Sequence, residues 1–120
     1  MLNNKRQTGS RYEQMAAEYL KQQGYRILEM NFRCRDGEVD IVAEEASCLV
    51  FVEVKYRSSE KYGLPQEAVT RRKQRSISRV AQFYRVRYRV REDVSSRFDV
   101  VAILNGEIRL YQNAFLYQEF

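Results

Sequence analysis

Gly37-Glu38-Val39-Asp40, twelve intervening residues, then Glu53-Val54-Lys55 is the stretch on which the reading of this chain turns. Side chains alternate faces along a strand, so Glu38 and Asp40 share one face and Glu53 and Lys55 share another. If Ala46-Ser47 is a two-residue turn, Asp40 lies opposite Glu53 and Glu38 lies opposite Lys55. Opposed residues of an antiparallel pair sit on one face with Cβ atoms roughly 5 Å apart. Two carboxylates and an ammonium group then converge on one patch. The triplet also ends the run Leu49-Val50-Phe51-Val52, which reads as a strand buried on both faces. Carboxylates at the end of such a strand need partners. A hard divalent cation is one, since Mg²⁺ takes oxygen ligands and keeps several waters. An ordinary cross-strand salt bridge from Lys55 to Glu38 or Glu53 is the other.

Outward from this stretch, the chain reads as alternating helix and strand. Tyr12, Met15, Ala16, Tyr19 and Leu20 recur at helical spacing, with Ser10 as the expected N-cap and Gly24 as the stop. A strand over 25–33 and a turn at Asp36-Gly37 precede a hairpin of strands 38–44 and 48–56. A loop with Ser58, Ser59, Gly63 and Pro65 leads to a second helix that starts near Thr70 and ends near Arg87. Ile77, Val80, Ala81 and Tyr84 are its apolar stripe, although residues 84–91 also alternate with a strand period. A strand over 97–104, an Asn105-Gly106 turn and a strand over 107–112 follow. Phe115, Tyr117 and Phe120 of the tail are expected to pack back. One mixed α/β domain spans residues 1–120, with 1–9 as a flexible N-terminus.

Composition narrows the chemistry. The 120 residues include no His, which excludes Ser-His-Asp and Cys-His nucleophilic sites and imidazole-ligated zinc. Cys34 and Cys48 are too few and too far apart for a zinc or redox motif. No apolar run approaches the roughly 20 residues of a membrane span, and the first residues do not read as a signal peptide. A cytoplasmic location with reduced thiols is expected. The net charge of +5 is uneven. Nine basic and no acidic residues lie between Arg71 and Arg91, against 12 basic and 16 acidic elsewhere. Such an element attracts polyanions by steering and counterion release.

These residues, taken with Gly9-Ser10-Arg11-Tyr12-Glu13, Asn31-Phe32-Arg33, Arg97-Phe98-Asp99-Val100-Val101 and Asn113-Ala114-Phe115, resemble the YraN family of bacterial proteins. That family lies within the restriction-endonuclease-like PD-(D/E)xK nuclease superfamily, whose nearest functional relatives here are archaeal Holliday-junction resolvases. The resemblance implies a restriction-endonuclease-like α/β fold, a mixed central β-sheet flanked by helices. It makes Asp40 the first acid, Glu53 the second and Lys55 the lysine. Asp40, Glu53 and the backbone carbonyl of Val54 would hold Mg²⁺ or Mn²⁺. Glu13 matches an acid brought in by the first helix, and its position also suits a first-turn Glu. Val39 departs from the Pro of the superfamily pattern, and Glu38 is an extra acid that pairs with Lys55 or caps the turn.

On the basic helix, Lys73 falls on the apolar stripe, where it either reaches a phosphate or covers core with its stem. Arg71, Arg75 and Arg79, four apart, are expected on an exposed face, and with Arg72 they complete a nucleic-acid contact that positions without reading sequence. Arg97 and Asp99 read as a structural ion pair. Tyr84 and Tyr88 are candidates for stacking on bases. The expected function is a metal-dependent endonuclease on structured or branched DNA, working as a homodimer if it follows the resolvases. The alternatives are a non-catalytic nucleic-acid-binding module and a protein-interaction domain using the basic helix.

Overall fold

Helix α1 (Asn4–Gln22) is oriented by one apolar stripe. Ala16, Ala17 and Leu20 are buried, with Tyr12 and Met15 packed beside them. The helix ends at Gly24, whose φ of +95° is left-handed backbone that glycine adopts without steric cost. There the Gly24 amide donates to Lys21 O at 3.1 Å and the Tyr25 amide to Leu20 O at 2.9 Å, the two bonds of a Schellman cap. The expected N-cap at Ser10 is corrected, because helix already starts at Asn4. Lys5, Arg6 and Gln7 are good helix formers, and extending an existing helix costs far less than nucleating one. The computed structural model describes residues 4–57 and 69–119. The expected loop containing Ser58, Ser59, Gly63 and Pro65 lies outside the described residues, as does Phe120.

Strands β1 (Arg26–Cys34), β2 (Gly37–Glu45), β3 (Cys48–Arg57), β4 (Ser96–Leu104) and β5 (Glu107–Tyr111) form one sheet in that order among the described residues. Only β3 and β4 are parallel. They are joined through helix α2 (Arg71–Arg87), since parallel neighbours need a long crossover. The β2–β3 turn is Ala46-Ser47, with φ of +52° and +63°, the left-handed pair of a two-residue hairpin turn. Pairing then runs from Glu45↔Cys48 to Ile41↔Val52, the register expected from a two-residue turn. Asn105-Gly106 closes β4 onto β5 in the same way. Thr70 caps α2, its side chain accepting from the Lys73 amide at 3.1 Å, and the helix ends at Arg87 as expected.

The helices cover opposite faces of the sheet. Val50 and Val52 pack in the cluster with Ala16, Ala17 and Leu20 of α1, whereas Leu49 and Phe51 pack with Ile77, Val80, Ala81 and Tyr84 of α2. Strand β3 is therefore buried on both faces. Tyr84 rests edge-on against Phe32 and Phe51, with centroids 5.0 and 5.6 Å away. This corrects its expected role as a base-stacking residue, because its ring is spent in the core; Tyr88 is exposed. Phe115 of the tail is buried and stacks on Phe98, whereas Tyr117 is exposed.

Fully buried Asp99 is satisfied on all sides, as a charge removed from water must be. Tyr25 Oη donates to it at 2.6 Å, the Arg97 guanidinium donates two bonds at 2.9 Å, and the Asn113 amide donates at 2.9 Å. Arg97 also pairs with Glu45 at 2.9 Å. This is the expected structural ion pair, enlarged into a network that ties β4 to the start of β1 and to the tail.

One irregularity positions the site. Ile41 packs on the α1 side and Val39 on the α2 side, although a regular pleat would put both on one face. Their β1 partners Met30 and Phe32 divide in the same way. Both strands turn over together at Asn31, whose φ is +54°, and at Asp40.

Candidate active site

Asp40 stands where β2 leaves β3, one residue past the last paired position, Ile41↔Val52. Its Oδ2 accepts a hydrogen bond from the Val54 amide at 2.8 Å, which stitches the parting strands together. Glu53 is the next residue along β3, on the α2 face with Phe51, and only 5% exposed. Lys55 lies two residues on and places Nζ 3.5 Å from Glu53 Oε2. Asp40, Glu53, Val54 and Lys55 thus come together as expected.

Both helices add a group from opposite sides of the sheet. In the first turn of α2, Lys73 brings Nζ to 3.9 Å from Glu53 Oε2. The helix N-terminus that carries it adds a positive dipole end to the same place. From α1, half-buried Glu13 comes up beside Asn31 and Asp40. The turn-over at Asn31 and Asp40 is what lets groups from the two layers meet.

The electrostatics follow from burial and crowding of like charge. Burial first, and then the neighbouring Asp40 carboxylate, push the Glu53 carboxyl up to about 8, against the opposing pull of Lys73 and Lys55. Burial and Asp40 likewise push Glu13 up to about 7, with the Asn31 side chain opposing. Carboxyl groups this close do not all ionise readily at neutral pH. Glu53 Oε1 is buried without a hydrogen-bond partner, a state that costs free energy unless something else meets it.

Other expected positions fall differently. Glu38 does not face Lys55; it pairs with Arg33 across β1. The reason is that β2 has already left β3 and keeps only β1 as a partner there. Arg71 and Arg72 are exposed, but Arg75 and Arg79 are half-buried, a correction to the expected exposed row of Arg71, Arg75 and Arg79. Residues four apart advance about 40° around a helix at each step, so such a row drifts towards the sheet. Arg79 lines an open cleft with Asp36, Phe83 and Val86.

Asn31 carries no role in the expected site, yet it lies beside Glu13 and turns the strand. A signal existed, because Asn is among the few side chains that tolerate left-handed backbone. Among the described residues no set of three or more His, Cys, Asp or Glu is arranged to hold a metal ion, and no helix is long and apolar enough to cross a membrane.

Residues 12–103 match the family model described as "Uncharacterised protein family UPF0102", a span that includes Glu13, Asp40, Glu53, Lys55 and Lys73. The chain is similar to a UPF0102 protein of Lachnoclostridium phytofermentans, 53% identical over 112 residues that cover 93% of this chain and 95% of that protein. A UPF0102 protein of Caldicellulosiruptor saccharolyticus is 47% identical over 118 residues, covering 93% of this chain and 99% of the relative. One of Syntrophus aciditrophicus is 55% identical over 96 residues, or 80% and 75% of the two chains.

Proposed function

The chain belongs to the UPF0102 family, the YraN-type group, and from the site it carries we propose a restriction-endonuclease-like, metal-dependent endonuclease that hydrolyses phosphodiester bonds in structured or branched DNA. One observation carries the reading: Asp40, Glu53 and Lys55 meet where β2 and β3 part, with Glu53 Oε1 buried and unpartnered. A salt bridge accounts for Lys55 beside Glu53. It does not account for a second carboxylate, Asp40, crowding Glu53, or for a third, Glu13, arriving from the other layer.

The donor set fits a hard divalent cation. Mg²⁺ is commonly held by one or two carboxylates and keeps its waters, so a site of two carboxylates needs no third acidic ligand. Asp40 and Glu53 would hold Mg²⁺ or Mn²⁺, with the Val54 carbonyl as a further ligand. When bound, such an ion supplies positive charge against the phosphate and acidifies nearby water.

The chain's own groups supply the rest. Lys55 and Lys73 each carry three N–H donors, enough to hold Glu53 and still orient water or a phosphate oxygen. Hydrolysis forms a P–O bond from water and breaks the P–O bond to the leaving sugar oxygen, which takes up a proton. Glu13, pushed up to about 7, is a group able to hold and release a proton near neutral pH. Exposed Arg71 and Arg72 would hold the nucleic-acid backbone and set its position. A second copy of the chain would provide the second cut that a junction requires.

The test is cleavage of labelled four-way-junction, flap and linear DNA with Mg²⁺ or Mn²⁺, by the wild type and by an Asp40→Ala/Glu53→Ala variant purified in parallel. Metal-dependent cutting that the variant lacks is the expected result. Equal cutting by both preparations would mark a contaminant. DNA binding at low salt with no cutting by either would replace this reading with a non-catalytic binding module.

A further inference from the structure

Tyr12 and Tyr56 form a stacked pair, with ring centroids 3.9 Å apart and planes inclined by 21°. Each is the chain neighbour of a site residue, Tyr12 of Glu13 on α1 and Tyr56 of Lys55 on β3. Each ring is therefore carried by a residue whose Cα lies about 3.8 Å from that of a site residue, on two separate elements. Tyr56 points to the α1 face, in register with Ile103 of the α1-side cluster. Yet it is 41% exposed at the end of a strand whose residues Leu49 to Glu53 are buried. Tyr12 packs against the core; Tyr56 offers apolar ring surface to solvent on the α1 side of the strand end that carries Lys55.

The pair is also held in place. Tyr12 is anchored on the α1-side core and Tyr56 stacks on it. Stacking on a ring that is itself packed against the core orders the pair before any ligand arrives, so little ordering remains to oppose binding. A flat, rigid, partly exposed aromatic surface suits a nucleobase, because every base has a π-face and stacking tolerates any sequence. Bases in an intact duplex already stack on one another. A base freed at a flap or a junction does not.

We infer that Tyr12 and Tyr56 form a stacking platform for an unpaired nucleobase, holding a single-stranded or flapped DNA segment beside the phosphate at the site. The inference rests on the nuclease reading for the identity of its ligand, and it makes unpaired nucleotides the feature that selects substrate.

The chain has no Trp, so Tyr56→Trp introduces a lone fluorescent reporter that keeps an aromatic ring in place. The probe is a labelled oligothymidylate of about 12 nucleotides, added at low salt with EDTA so that nothing is cut. Trp emission is expected to be quenched over the same concentrations that raise the label's anisotropy. Tyr12→Leu/Tyr56→Leu is expected to weaken oligothymidylate binding about 5- to 100-fold, leave blunt-duplex binding unchanged and keep the wild-type circular dichroism; Tyr56→Phe retains affinity. A rise in anisotropy with constant Trp emission overturns the platform, and so does failure of the oligothymidylate to bind at all. Cleavage by the wild type, measured separately with Mg²⁺, distinguishes the two readings. Cutting without quenching removes only the platform, and quenching without cutting removes only the nuclease.

Discussion

Replacing Glu53 by Gln is expected to stabilise the protein at alkaline pH while disabling its site. Glu53 is 5% exposed, and burial with Asp40 nearby lifts its carboxyl from 4.5 to about 8. Between those values the folded chain holds a proton that the unfolded chain has released. Stability therefore falls as pH rises through that window, by at most about 1.4 kcal/mol per pH unit. The contribution is favourable and complete below the unfolded value and is lost once pH passes the folded one. Across the window this amounts to about 5 kcal/mol at most. Gln keeps the shape without the charge, and the value of about 8 already contains the opposing pull of Lys73 and Lys55, so the loss of those pairs brings no separate cost. A gain of up to about 5 kcal/mol is expected near pH 8.5, fading towards zero near pH 5. Urea unfolding in EDTA measures it, as an upward shift of the midpoint by about 1–2 M at unchanged slope. Equal midpoints at alkaline pH, or a difference that does not vary with pH, would refute the argument that Glu53 carries a buried and crowded charge.

Adding Mg²⁺ or Mn²⁺ is expected to raise the thermal midpoint of the wild type, by the equivalent of about 2.7 kcal/mol at a hundred times Kd, and to leave Asp40→Ala/Glu53→Ala unmoved in a melting assay. Asp99→Ala takes the buried acceptor away from the Tyr25 hydroxyl and leaves the half-buried Arg97 guanidinium with Glu45 alone among carboxylates; a loss of about 3–5 kcal/mol in urea unfolding is expected. Gly37→Ala should destabilise by about 1–3 kcal/mol, because φ is +142° and the new Cβ would lie 2.5 Å from Ser76 Oγ. A Ser76→Ala background should recover the contact but not the backbone strain. Arg71→Ala/Arg72→Ala is expected to lower the salt slope of duplex binding by about 1 per lost phosphate contact, read by anisotropy at several ionic strengths.

The elements were legible in the sequence because their causes are local. Apolar residues three and four apart set the buried stripe of α1, a two-residue turn set the β2–β3 register, and Thr70 marked the start of α2. That register alone brings Asp40 beside Glu53. Periodicity could not show where the ladder ends. Asp40 sits just beyond its last pair, and Glu38 further on has turned to Arg33 on β1. Tyr84 illustrates the same limit: its arginine-rich surroundings are a property of the chain, whereas its packing on Phe32 and Phe51 is a property of how α2 docks.

By itself, then, the sequence determined the α/β alternation, the hairpin register and the carboxylate–lysine pattern, each a consequence of side-chain period and turn chemistry over a few residues. Only the tertiary structure decided that Lys73 from α2 and Glu13 from α1 join that pattern. Those meetings depend on a crossover that lays one helix over β3, and on two strands turning over at Asn31 and Asp40 so that groups from opposite faces reach one point. Contacts between distant segments are set by the packing of whole layers, which no local spacing encodes.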